Sequence, residues 1–306
     1  MVSTVLFSLL FIIICSWLAA LVHAFLIGHG IVAANYRGEH IPVGSGVAIW
    51  LAVLAHEALL GLWRTVGWEM PRWIHGAPWD GTADGAAFGV AGTAHTPLIG
   101  GAEYALMTAI VCFAGWLDDT VGHGGVKGFG GHFTAWLKEG TVTTGLIKAA
   151  AVSAAALWAS LLMGGNFSEI VSQWLVITLM TNAFNLVDLR PGRALKVFFL
   201  LSAAVIAIGA GRAAAELRYL APALAGAAVL LPRDLKARAM LGDTGANLLG
   251  FALGLTAAAA LPAAFLWGIA AMLALFHWFA ERRSLTRLID RNRILSWLDR
   301  LGRPQP

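Results

Sequence analysis

The 306-residue chain is 58% hydrophobic and only 12% charged, with a formal charge of +4 and a mean hydropathy of +0.74. These values exclude an ordinary water-soluble domain and describe a multispanning membrane protein. The small basic excess matters through its placement relative to a bilayer, and no nucleic-acid partner is expected, because the basic residues lack the context of such a site.

With about 20 apolar residues needed per crossing, the hydropathy pattern predicts helices over 3–27, 47–66, 98–117, 144–163, 170–187, 195–211, 216–231, 245–260 and 262–280. The expected fold is therefore all-α, a polytopic helical bundle of about nine transmembrane helices. The first run is apolar without a basic flank before it and is long for a signal peptide, so it reads as a retained span. The apolar stretch from Gly245 to Phe279 would be about 52 Å long as one helix, too long for a single crossing of a roughly 30 Å hydrocarbon layer. Pro262 is the expected break. Cys15 and Cys112 both lie inside apolar runs and read as small core residues.

Counting the spans alternately puts the N-terminus outside and the C-terminus in the cytoplasm. Of the 21 Lys and Arg residues, 17 then fall on the cytoplasmic side and 4 outside, the bias expected of a cell-membrane protein. The external segment 67–97, rich in tryptophan, reads as an interfacial loop. Residues 1–280 form one expected transmembrane domain. Residues 281–306 form a basic amphipathic tail, with Leu285, Leu288, Ile289, Leu295 and Leu298 among arginines, suited to lying on an anionic leaflet.

Three polar stretches fall on the same predicted face. The first is FAGWLDDT, residues 113–120, where an apolar run ends in Asp118 and Asp119. Consecutive residues on a helix point about 100° apart, so two separate roles are more natural than one shared ligand. Carboxylates also sit poorly at a helix C-terminus, against the negative end of the dipole. The second is TNAFNLVDLRPGRALK, with Asn182 and Asn185 on one helical face, Asp188 a turn later, and Arg190, Arg193 and Lys196 as a cationic cluster. The amides suit either a ligand or a neighbouring helix, and the cations suit either phosphate or the positive-inside bias. The third is MLGDTGANLLGFALG, where Asp243 sits between glycines just before a span. A single carboxylate there is a common anchor for Mg²⁺, or else an N-cap. The glycine-rich run 122–131 lacks the ending of a P-loop and reads as a flexible loop.

In their order and positions these stretches resemble the polyprenyl-phosphate N-acetylhexosamine-1-phosphate transferase family. That family includes the undecaprenyl-phosphate GlcNAc-1-phosphate transferases and the phospho-MurNAc-pentapeptide translocases. NYRGEHIPVGSG resembles its first cytoplasmic loop, LDDT its Asp-Asp motif, NAFNLVD its Asn-rich motif and LGDTGANLLGFALG its Gly-Asp motif, over roughly residues 35–260. Where the family's Asn-rich motif usually carries a second Asp, this chain has Pro191.

The resemblance implies transfer of a sugar 1-phosphate from a UDP-sugar to polyprenyl (undecaprenyl) phosphate, with UMP leaving and Mg²⁺ as cofactor, at the cytoplasmic face. Carried over by motif, Asp243 would ligate Mg²⁺, Asp118 would lie nearest the acceptor phosphate, and Asp119 would support the metal-bound diphosphate. Lys148 would contact phosphate, and Asn182, Asn185 and Asp188 would shape the nucleotide side, with Arg190 and Arg193 beside them. The expected partners are the two substrates, the lipid bilayer and a second copy of the chain. The alternative is a degenerate member that binds lipid phosphate or a partner without turnover.

Overall fold

The computed structural model describes residues 2–68, 99–122, 136–138, 140–208 and 213–303. The long helices are α1 (Val2–Gly28), α2 (Val47–Thr65), α3 (Gly101–Val121), α4 (Thr144–Met163), α5 (Phe167–Val187), α6 (Arg193–Ile208), α7 (Ala213–Leu235), α8 (Gly242–Ala260) and α9 (Ala263–Arg282). Two short helices, α10 (Leu285–Arg291) and α11 (Arg293–Arg300), form the tail. The glycine-rich run after Gly122 and most of the tryptophan-rich 67–97 segment lie outside the described residues.

Six of these helices are long and apolar enough to cross a membrane: α1, from Ser3, and α2, α3, α4, α5 and α9. The chain is thus an all-α multi-pass membrane protein. The remaining three long helices are less apolar or shorter for identifiable reasons. α6 has only 16 residues. α7 carries Pro222 and Pro232. α8 is enclosed by protein, with 16 buried residues out of 19, so it has no need of a lipid-facing surface.

Local signals set the helix ends. Asn166 and Glu169 form a reciprocal capping box at the start of α5, with the Asn166 side chain accepting from Glu169 N at 3.1 Å and Glu169 accepting from Asn166 N at 2.8 Å. Pro262 is the N-cap of α9, and it separates α8 from α9 as its fixed φ and missing donor require. Among the described residues the one departure from helix and turn is a small hairpin, β1 (Val32–Ala34) paired antiparallel with β2 (His40–Pro42). The Asn35 side chain closes its turn by accepting from Arg37 N and Glu39 N at 2.8 and 3.1 Å, the local competition with regular structure typical of Asn.

Bundle packing is centred on α8. Small residues bring its backbone against its neighbours, as expected where lipid supplies no hydrophobic drive between helices. A Cβ on Gly250 would lie 2.6 Å from the Met180 carbonyl oxygen, and one on Gly254 2.9 Å from the Ile177 Cα. Gly115 of α3 sits equally close to the start of α8. At the far end of the bundle, Tyr104 donates to Tyr219 O at 2.6 Å and Tyr219 donates to Ile99 O at 2.8 Å, with Arg218 bonded to the same carbonyl. These bonds tie α7 to the start of α3. By contrast α1 and α9 expose large apolar side chains such as Ile13, Trp17, Met272 and Leu275, which suits surfaces turned towards lipid.

Candidate active site

Successive helices run back and forth, so the ends of α1, α3, α5, α7 and α9 share one end of the bundle with the starts of α2, α4, α6 and α8. The polar motifs all fall there, and one side chain from each of them joins a single cluster with Lys148. Asp118, in the last turn of α3, accepts from Thr144 Oγ1 and Lys148 Nζ, each at 2.5 Å. Lys148, in the first turns of α4, also pairs with Asp243 in the first turn of α8. Asn185 Nδ2, near the end of α5, donates to the same Asp243 Oδ2 at 3.3 Å. Four helices therefore contribute to one cluster of an amine between two carboxylates, with an amide beside them. Lys148 is largely covered, its side chain 12% exposed, whereas Asp243 is 31% exposed. The cation thus lies beneath a more accessible carboxylate.

Asp119 points elsewhere. Its Oδ1 accepts from Asp243 N at 2.8 Å, and its Oδ2 accepts from Thr244 N at 3.0 Å and Thr244 Oγ1 at 2.6 Å. These are the free N–H groups at the start of α8, so Asp119 serves as that helix's N-terminal acceptor from another helix, with its charge at the positive end of the dipole. The helix's own N-cap position, Leu241, makes no side-chain cap. The adjacent pair thus divides its work, as the 100° separation requires.

The backbone around Asp243 is built for this contact. Gly242 has φ of +73°, and a Cβ there would sit 2.5 Å from Asp119 Oδ2. Residues with side chains rarely adopt that φ, and the carboxylate fills the space. The hairpin loop holds the other side: Met240 N donates to Pro42 O at 2.8 Å, while Ser45 N and Gly46 N donate to Met240 O and Leu241 O, each at 3.1 Å. The 35–46 stretch therefore acts through the backbone that presents Asp243.

Asp188 caps the end of α5 and is partly buried. Burial raises its carboxyl well above the usual range, the negative charges of Asp234, Asp243 and Asp119 add to the rise, and Arg193 opposes it. Arg190 lies over the Tyr36 ring at 5.2 Å, so it links the hairpin tip to the turn after α5. Asn182 is exposed and stands one turn below Asn185. Arg193 is turned away from the cluster: its Nε and Nη2 bond Asp299 in the tail at 2.7 and 3.1 Å. Lys196 likewise donates to three carbonyls at the end of α11.

Several residues in this network were not singled out by sequence reasoning. Thr144 and Thr244 carried no signal beyond lying next to helix starts. Asp234, in the last turn of α7, is buried and accepts from Gly192 N at 2.6 Å. It supplies an acid beside the turn where Pro191 stands. Its only signal was an acidic residue inside the basic run PRDLKAR. Asp299 was hidden in the tail.

A sequence model of glycosyl transferase family 4 matches residues 102–261, from the first turn of α3 to the end of α8. The chain belongs to glycosyl transferase family 4. The matched span contains Asp118, Lys148, Asn185 and Asp243, so the part of the chain shared with the family is the part that builds the cluster. The hairpin loop and the tail lie outside that span. No curated protein matches the chain at a significant level.

Proposed function

We propose that this glycosyl transferase family 4 member transfers a sugar 1-phosphate, an N-acetylhexosamine 1-phosphate, from a UDP-sugar to polyprenyl phosphate at the cytoplasmic membrane face. Family membership supports sugar-phosphate transfer to a polyprenyl phosphate in general. The observation that supports the finer reading is the contact of Lys148 with both Asp118 and Asp243, with Asn185 donating to the same Asp243, which joins the three polar stretches in one site.

In this reaction an oxygen of the acceptor phosphate forms a bond to the sugar-bearing phosphorus of the nucleotide. The bond from that phosphorus to the bridging oxygen breaks, and UMP leaves with the electron pair. Both substrates are anions, so the protein's task is to position them and offset their charge. Asp118 lies on the α3 side of Lys148 and is assigned to the acceptor side. Lys148 holds a positive charge between the reacting groups. Asn185 and Asp188 border the nucleotide side. A raised Asp188 carboxyl retains its proton more readily and can donate a hydrogen bond to a nucleotide oxygen.

Mg²⁺ is the implied cofactor, and the donors suit it. Asp243 and Asp118 offer hard carboxylate oxygens, and Asn185 Oδ1 is buried without a partner among the described residues. No group of three His, Cys, Asp or Glu among the described residues is placed to hold a metal alone, but Mg²⁺ commonly takes one or two carboxylates, with water and substrate phosphates completing its shell. Asp243, with Asp118, would hold it, and when bound it would neutralise diphosphate charge.

The test is purified protein in detergent with Mg²⁺, undecaprenyl phosphate and a panel of UDP-sugars, with UMP release as the readout. UMP formation that requires the lipid phosphate and falls with Asp243→Asn is the expected result. Saturable lipid-phosphate binding with no turnover on any nucleotide sugar would replace this reading with a binding function.

A further inference from the structure

The basic cluster after α5 is engaged by the tail instead of standing open. The Arg193 and Asp299 side chains are 5% and 8% exposed. The Asp299 carboxylate takes a two-pronged contact from Arg193 and another from Arg303, the latter at 2.8 and 3.0 Å. Arg303 Nε also donates to Pro191 O at 2.6 Å. Lys196 Nζ meets the carbonyls of Leu298, Asp299 and Leu301 at 2.9, 2.6 and 3.2 Å, a cation at the negative end of α11. Paired charge-assisted bonds of this kind fix geometry as well as adding stability. The far end of the tail is thereby pinned to the turn 188–192, which begins with Asp188.

The near end is pinned too, because only two residues separate the end of α9 at Arg282 from the start of α10 at Leu285. Both ends of the tail thus lie at the level where the transmembrane helices end. Between them, α11 and its C-cap Leu301 carry an exposed apolar stripe, with Leu295 on its flank. At 100° per residue, Ile294, Trp297, Leu298 and Leu301 fall within about 100° of arc, opposite the side that carries Ser296 and Asp299. All four are exposed, Ile294 by 70% and Trp297 by 63%. Arg293 and Arg300 are exposed beside this stripe, and Arg287 and Arg291 are exposed on α10. An apolar stripe flanked by arginines, held at the height of a bilayer surface, matches an anionic lipid surface in both polarity and charge.

We propose that α10 and α11 form a lipid-seated latch: the outer stripe rests on an anionic phospholipid surface, and Asp299, through Arg193 and Arg303, holds the turn that carries Asp188. Asp299 is a positioning residue here, acting through the two arginines. The inference does not depend on the reaction proposed above.

The experiment is amide hydrogen exchange on the full-length protein in nanodiscs, one set of phosphatidylcholine alone and one containing phosphatidylglycerol. Amides of α11 should exchange about tenfold more slowly with phosphatidylglycerol. The difference should vanish in R291Q/R293Q/R300Q and shrink in high salt. Equal exchange on both lipids would overturn the lipid seat. So would protection that tracks the number of protein copies per disc, which would assign the stripe to a second copy of the chain. For the latch, Asp299→Asn should speed exchange at Gly192 and Arg193 about tenfold while α4 and α8 stay unchanged, and Asp299→Glu should restore most of the protection. Unchanged exchange at those two amides in Asp299→Asn would overturn it.

Discussion

Replacing Asp119 by alanine separates its structural role from the chemistry assigned to its neighbour. The substitution removes three hydrogen bonds to one carboxylate and leaves Asp243 N and Thr244 N without their acceptor at the start of the most enclosed helix. A bond to a charged group contributes about 1.5–3 kcal/mol net, and an orphaned buried donor costs about 1–3 kcal/mol. Because one side chain supplies all three bonds, their effects overlap, and a loss of about 3–5 kcal/mol is expected, the range for removing one partner from a buried charged contact. At about 2–4 °C per kcal/mol this is a fall of roughly 6–20 °C in the thermal midpoint. Thermal unfolding in detergent, followed by light scattering or tryptophan emission, measures it. Asp118→Asn, whose contacts are to the Lys148 and Thr144 side chains, should change the midpoint far less while abolishing UMP release. An Asp119→Ala protein as stable as the parent would refute the assignment of Asp119 as the acceptor for α8.

Three further outcomes follow from the same geometry. Gly242→Ala places a Cβ against Asp119 in a left-handed conformation; it should cost about 1–3 kcal/mol, read as a lowered thermal midpoint, and lower UMP release with it. Lys148→Gln leaves Asp118 and Asp243 without their shared cation and should lower kcat by about 10²–10³-fold, the scale of losing one charge-stabilising group, in a steady-state UMP assay. For Asp188, burial and neighbouring acids favour the protonated form in the folded chain. Between the unfolded carboxyl value, about 3.9, and the higher folded one, the unfolded chain binds fewer protons, so this group's contribution to stability falls as pH rises. Asp188→Asn should therefore be more stable than the parent at neutral pH, with the difference narrowing on acidification; a neutral-pH midpoint at or below that of the parent would contradict this.

Much of the bundle was legible because membrane helices announce themselves through length and apolarity. The run ending in Asp118 and the break at Pro262 are cases where composition alone located a boundary to within a few residues. α8 was read as one more span, but the sequence pattern did not reveal that it is enclosed. Its glycines mark that role only once Met180, Thr181 and Gly46 are seen against them. The hairpin at 32–42 escaped prediction because three-residue strands leave almost no alternation to read.

The site was legible in its members and less so in its wiring. Asp118, Lys148, Asn185 and Asp243 were chosen by motif, and the structure brings them into contact. That Asp119 would bond to backbone donors of α8 could not be read locally, because the partner lies 124 positions away. Arg193 and Lys196 could be read locally only as suiting phosphate or the positive-inside bias, for the same reason: Asp299 and the carbonyls of α11 approach from about a hundred residues downstream. Long-range ion pairs have no sequence period, so only the fold exposes them.

The proposed joint action of Asp118 and Asp243, organised by Lys148, is open to a double-mutant cycle on kcat for UMP release, using Asp118→Asn, Asp243→Asn and the pair together. Groups that act as a unit are strongly non-additive, so the double variant should be no slower than the slower single variant. Losses that multiply, with the double variant slowed by the product of the two single effects, would show that the two carboxylates act independently and do not form one unit around Lys148.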